Sequence, residues 1–172
     1  MMNFKFFGSL IVALLMNYAL SAQKIAVIDI NAVLQELPEY ITAQDELDRI
    51  AAEWNQEIAA EYDKIKSLYN KYQAEQVLLS EEVQAQREEE IMSKERMVRE
   101  LQKRKFGSEG ELFLKRREII NPIQEKVFAA IEQFALDRGY DLVLDRAGSA
   151  GVLFVGEDYD KTDLIKRRLG IR

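Results

Sequence analysis

The stretch that decides the fold is residues 39–106, EYITAQDELDRIAAEWNQEIAAEYDKIKSLYNKYQAEQVLLSEEVQAQREEEIMSKERMVRELQKRKF, which contains neither Pro nor Gly. In its first part apolar residues recur at Leu47, Ile50 or Ala51, Trp54, Ile58, Tyr62, Ile65, Tyr69 and Tyr72. Steps of three and four place them on one face of an α-helix. Leu78-Leu79-Ser80-Glu81-Glu82 is the expected break, with Ser80 capping the next helix and both glutamates at its positive end. Residues 82–105 offer little beyond Val83, Ile91, Met92, Met97, Val98 and Leu101, set among seven basic and six acidic residues. Such a helix cannot be the core of a compact globule. It predicts the return arm of a thin antiparallel pair with one dry seam. The outgoing arm, residues 39–79, has 41 residues and would reach about 60 Å.

Outward from this stretch the pattern changes. Residues 24–30, KIAVIDI, read as a buried strand ended by Asp29 and Asn31, followed by a short helical turn through Val33, Leu34 and Leu37. Pro38 suits a first helical position. On the return side, Gly107-Ser108-Glu109-Gly110-Glu111 predicts a helix restart, with Ser108 and Glu111 at capping-box spacing. A richer apolar face then includes Ile119, Ile120, Ile123, Val127, Ile131 and Phe134, with a kink expected at Pro122 and a left-handed cap at Gly139. Residues 140–145 and 152–155 read as two further strands forming a hairpin, and residues 158–169 as a closing helix with Asp160 and Asp163 as cap and third residue. The predicted organisation is therefore a body from 23–38 and 139–172, an arm over 39–106 and a returning helix over 107–138. The fold class is α+β. Three short strands cannot close alone, and apolar edges invite pairing with another subunit. This points to an oligomer whose body is a shared sheet: Ile25, Val27, Ile28, Ile30, Leu142, Leu144, Val152 and Phe154 are the expected assembly residues.

Residues 1–22, MMNFKFFGSLIVALLMNYALSA, have the layout of a secretory signal peptide: Lys5, an apolar run, then small residues. The run is short for a membrane span. Cleavage would leave a 150-residue chain with net charge −7.

Composition excludes much chemistry. With no Cys and no His, thiol catalysis, disulfides, Cys/His zinc sites and imidazole mechanisms are ruled out. A formal net charge of −6 argues against a generally basic nucleic-acid binder. Asp158-Tyr159-Asp160-Lys161-Thr162-Asp163 superficially resembles a calcium loop, but Asp163 stands where Gly is needed and Leu169 where the bidentate Glu is needed. Asp29 and Asp145 end strands and could lie close together, yet nothing accompanies them for acid/base work, so turn and cap duties are expected. No catalytic residue, cofactor or metal is predicted.

Trp54, Tyr62, Tyr69 and Tyr72 form an aromatic stripe, read mainly as seam packing, with any surplus offering soft contacts to an unfolded client. Arg87, Lys94 and Arg99, with their basic neighbours, are either a solvated helix face or a surface for weak attraction to acidic chains or anionic lipid headgroups.

These features together resemble the OmpH/Skp family of periplasmic chaperones. The resemblance rests on the signal segment, KIAVIDINAVLQELPEY, the charged helical stretch, GELFLKRREIINPIQEKVFAAIEQFALDRGYDLVLD and DYDKTDLIKRRL. It implies a homotrimer in which three helical hairpins hang like tentacles around a cavity. It also implies ATP-independent holding of unfolded outer-membrane β-barrel proteins in the periplasm. The alternative is a structural coiled-coil adaptor or spacer of the cell envelope.

Overall fold

A computed structural model describes residues 23–148 and 151–171; the signal segment lies outside them. The element order is β1 (Ile25–Ile28), α1 (Ile30–Glu36), α2 (Pro38–Glu75), a 3-10 turn (Gln76–Leu78), α3 (Glu81–Phe106), α4 (Glu111–Arg138), β2 (Leu142–Asp145) and α5 (Thr162–Arg168). The chain divides into two compact units. One combines the described residues up to Val33 with those from Phe128 onward, and the other is Leu34–Val127.

In the first unit β1 pairs with β2 in parallel, Ile25 opposite Leu142 and Ile28 opposite Asp145. The other edge of β1 is also taken: Val27 N–H donates to the Tyr159 carbonyl (2.8 Å) and Lys161 N–H to the Val27 carbonyl (2.9 Å). β1 is bonded along both edges and is also buried on both faces, Ala26 and Ile28 fully on one and Val27 to 6% exposure on the other, which is why it reads as a continuous apolar run. Ile165 of α5 is fully buried as well. The outer edge of β2 has no ladder partner among the described residues. Gly139, at φ 64°, ends α4. Its N–H donates to the Leu136 carbonyl and that of Tyr140 to the Ala135 carbonyl, the paired closure that favours glycine.

Several expectations for this unit are corrected. Ile30 belongs to α1 and not to the strand, because Asp29 caps that helix: its Oδ1 accepts from Ala32 N–H at 2.8 Å. The strand at 152–155 and its hairpin do not form; residues 151–156 carry no regular structure, and the sheet has two strands. Both edges of β1 are occupied, and the chain does not bring 152–155 to the remaining edge of β2. Leu153 and Phe154 are left 99% and 86% exposed. The last helix begins at Thr162, after an Asp160 carboxylate that accepts from Thr162 N–H (2.9 Å). Burial opposes ionisation of Asp160, but this hydrogen bonding and the charges of Arg146 and Lys161 prevail and hold its carboxyl below the ordinary value.

Replacing Asp29 with Ala should cost about 1 kcal/mol and lower Tm by about 2–4 °C, whereas Asp29→Asn should be near neutral. Thermal melts of the two variants check this; equal losses would show that the carboxylate's charge, not its capping bond, matters.

In the second unit α2 runs unbroken for 38 residues, about 57 Å, from Pro38 in its first turn. Ile58, Ile65 and Tyr72 face Ile91 and Val98 of α3, and Leu68, Leu79, Leu101 and Phe106 pack partly buried around them. The seven-residue spacing in both helices is the coiled-coil seam predicted from the sequence. A separate cluster joins Ala43 and Leu47 of α2 to Ile120 of α4. The turn between arms falls where Leu78–Ser80 predicted it, but Ser80 makes no side-chain capping bond. Likewise α4 starts at Glu111, directly after Gly110, so Ser108 lies in the turn and not at the cap. The Glu111 carboxylate pairs instead with Lys105. Helix α4 continues through Pro122 to Arg138.

Candidate functional site

The seam consumes most apolar side chains of the α2–α3 pair, so a surface for partners has to come from what the seam leaves out. Tyr72 is buried at 7% exposure, while Tyr62 and Tyr69 are 42% and 47% exposed. The aromatic residues predicted as one stripe are therefore split. Tyr72 is seven residues beyond Ile65 and stays in the seam. Tyr62 and Tyr69, also seven apart, sit together on a flank about 60° round the helix. Trp54 is half-buried, edge-on to Phe106 at 6.1 Å between ring centroids.

On the flank of Tyr69, a shallow open concavity is lined by Tyr69, Tyr72, Gln73, Gln76, Met92 and Glu95. Gln73 Nε2 donates to the Tyr69 hydroxyl at 2.9 Å. The Tyr72 hydroxyl donates to Glu88, whose carboxylate, helped by burial, holds the phenol above its ordinary pKa. Met92 is half exposed and adds a polarisable, adaptable thioether. The sequence reading did not single Met92 out. Its position one residue after the seam residue Ile91 was the available signal, since one step on a helix turns about 100° away from the seam.

The basic candidates are not gathered on this flank. Arg87, with Lys71 and Glu90, borders a narrow dent on the other side of Tyr72 and Ile91, and Lys94, seven residues on, shares its helix face. Arg87 pairs with Glu90 at 3.1 Å and Arg99 with Glu95 at 3.4 Å. These are exposed pairs that contribute little to stability and largely cancel the local field. The flank opposite Tyr69 further along the pair carries Met97 with Glu57, Glu61, Glu100 and Arg104.

In the first unit the assembly candidates differ in exposure. Val27 and Ile28 are buried, Ile25, Ile30, Leu144 and Val152 are half-buried, and Leu142 and Phe154 are exposed. Asp29 and Asp145 serve the backbone: Asp145 Oδ1 accepts from Ile30 N–H (3.3 Å) and Ala147 N–H (3.0 Å). Among the described residues no group of His, Cys, Asp and Glu is arranged to hold a metal ion, and no helix is long and apolar enough to cross a membrane.

Comparison with known proteins gives one family and one fold. The family model described as outer membrane protein (OmpH-like) matches residues 24–169. A solved OmpH-like protein from Caulobacter crescentus CB15 superposes with a TM-score of 0.70 at 15% identity, covering 87% of this chain and 85% of that one. No curated protein gives a significant match.

Proposed function

Since the chain belongs to the OmpH-like family of outer membrane proteins, with a general chaperone role of the OmpH/Skp type, we propose that it is an ATP-independent holdase for unfolded outer-membrane β-barrel proteins. It works in the periplasm, after export and cleavage of the segment 1–22. The observation that carries this reading is the exposed flank of Tyr62, Tyr69 and Met92 beside a seam that has already buried its own apolar residues.

The chemistry suits such clients. An unfolded barrel strand alternates apolar and polar residues and aggregates through unpaired edges. A shallow flank of phenols, a thioether and amides meets both kinds of side chain without demanding one sequence. Each contact is weak, so release needs no nucleotide. No catalytic step is involved, and no cofactor.

Assembly completes the site. Three copies share a body in which residues 152–155 of one chain add to the free outer edge of β2 in the next, head to tail, and close as a ring. The hairpins then border a common cavity that keeps clients apart. Contact with anionic lipid headgroups is weak, limited to basic residues such as Lys94 on a cleaved chain of net charge −7.

The decisive assay dilutes several unrelated urea-unfolded β-barrel proteins into buffer with the protein and no nucleotide. Light scattering should be suppressed for each. Protection of none, or of one alone, would sink the holdase and favour an envelope adaptor with a single partner. Within this assay the triple substitution Tyr62→Ser, Tyr69→Ser, Met92→Gln should weaken client binding about tenfold or more. It should leave Tm nearly unchanged, because all three side chains lie outside the seam.

A further inference from the structure

The two buried clusters of the second unit share no residue. Between Leu47 and Ile58, α2 has no buried side chain, and on the return only Gly110 is buried between Val98 and Ile120. The seam is therefore interrupted at one level. At that level the return strand is broken by the turn Gly107–Gly110, while α2 passes through uninterrupted. The turn is tight: Gly110 N–H donates to the Gly107 carbonyl at 2.9 Å, and a Cβ at Gly110 would lie 2.8 Å from the Arg104 carbonyl oxygen. A continuous helix opposite a jointed one, with only half-buried side chains such as Trp54 and Phe106 between them, is the geometry of an elbow. Helices bend gently at small cost, and the joint removes the partner that would resist.

One side chain bridges all three helices there. Lys105, near the end of α3, holds its ammonium 4.2 Å from the centroid of the Trp54 ring on α2 and 2.5 Å from Glu111 Oε2 at the start of α4. Its side chain is only 15% exposed, so it is packed against these partners along most of its length. We propose that Lys105 is the pin of an elbow in the arm: through Trp54 and Glu111 it sets the angle between the α2–α3 coiled coil and the α2–α4 base. The pin is a geometric property of this unit and stands or falls independently of the chaperone reading.

The absence of cysteine makes the test direct. Spin labels at Ser67→Cys and Arg116→Cys, both exposed, report the distance across the elbow by pulsed electron resonance. The labelled chain is diluted with unlabelled copies so that one label pair sits in each assembly. The unsubstituted elbow should give one narrow distance distribution. Lys105→Met should broaden or displace it about twofold, as expected for a released collective hinge. Glu111→Gln should do so at least as much, since it also removes the Arg104 contact at 3.5 Å. Lys105→Arg, which keeps the charge, should stay close to the parent. The emission of Trp54, the only tryptophan, should change in step with the width. An unchanged distribution and emission in both Lys105→Met and Glu111→Gln, with helix content retained, would overturn the pin. Loss of helix content in Lys105→Met with an unchanged distribution in Glu111→Gln would also overturn it.

Discussion

Replacing residues 56–100 with a short Gly-rich turn is expected to leave an assembled protein that no longer keeps an unfolded outer-membrane barrel protein soluble. The cut follows a boundary in the structure. It removes every buried residue of the α2–α3 seam, Ile58, Ile65, Tyr72, Ile91 and Val98, as one set. It leaves the separate cluster of Ala43, Leu47 and Ile120 intact, and touches nothing in the first unit. Stability is distributed the same way: a thin seam with solvent-exposed backbone opens at low cost, while a buried strand opens only with its whole unit. Losing a complete seam should thus be tolerated where losing half of one would not. Protection should be abolished, because Tyr62, Tyr69 and Met92 leave together. If the shortened protein protects clients as well as the parent, the binding surface lies in the body. If it fails to assemble, the arms carry part of the assembly energy.

The second large effect separates folding from assembly within the first unit. Ile28 is fully buried on the strand that is bonded along both edges. Ile28→Ala should cost about 2–5 kcal/mol, enough to lower Tm by roughly 10 °C and to unfold the body first. Phe154, 86% exposed, contributes almost nothing to the fold of its own chain. Phe154→Asp should therefore leave helix content and the arm untouched while shifting light-scattering mass from three chains toward one. A single-chain mass for the parent protein, or an unaltered trimer for Phe154→Asp, would contradict the shared-strand body.

The parts of this fold governed by local periodicity were legible in the sequence. The helical face follows from steps of three and four, the turn near Ser80 from Leu78–Glu82, and the helix start at Pro38 and stop at Gly139 from backbone chemistry. The sheet was less legible. A four-residue apolar strand has no direction written in it, and whether 142–145 pairs with 152–155 or with 25–28 depends on contacts over a hundred residues away. The hairpin was expected because neighbours in sequence often pair; in the structure β2 instead takes one edge of the buried β1, whose other edge bonds Tyr159 and Lys161. Capping was misjudged at Ser108 for a different reason: the tight Gly107–Gly110 turn uses up the residues before Glu111, so the capping-box spacing falls outside the helix. In the candidate site, Tyr72 and Tyr69 looked equivalent as aromatics at helical spacing. Only the rotation of α2 about the seam assigns one to packing and leaves the other exposed.

The central claim, that clients are held along the Tyr62–Tyr69–Met92 flank of the arm, is tested most directly by site-specific photo-crosslinking. A benzophenone side chain is placed in turn at Tyr69, at Glu57 on the opposite flank and at Phe154 in the body, and each protein is mixed with an unfolded β-barrel protein and irradiated. Adducts should form strongly from position 69 and several-fold less from positions 57 and 154. Equal adducts from all three positions, or adducts only from position 154, would contradict the account.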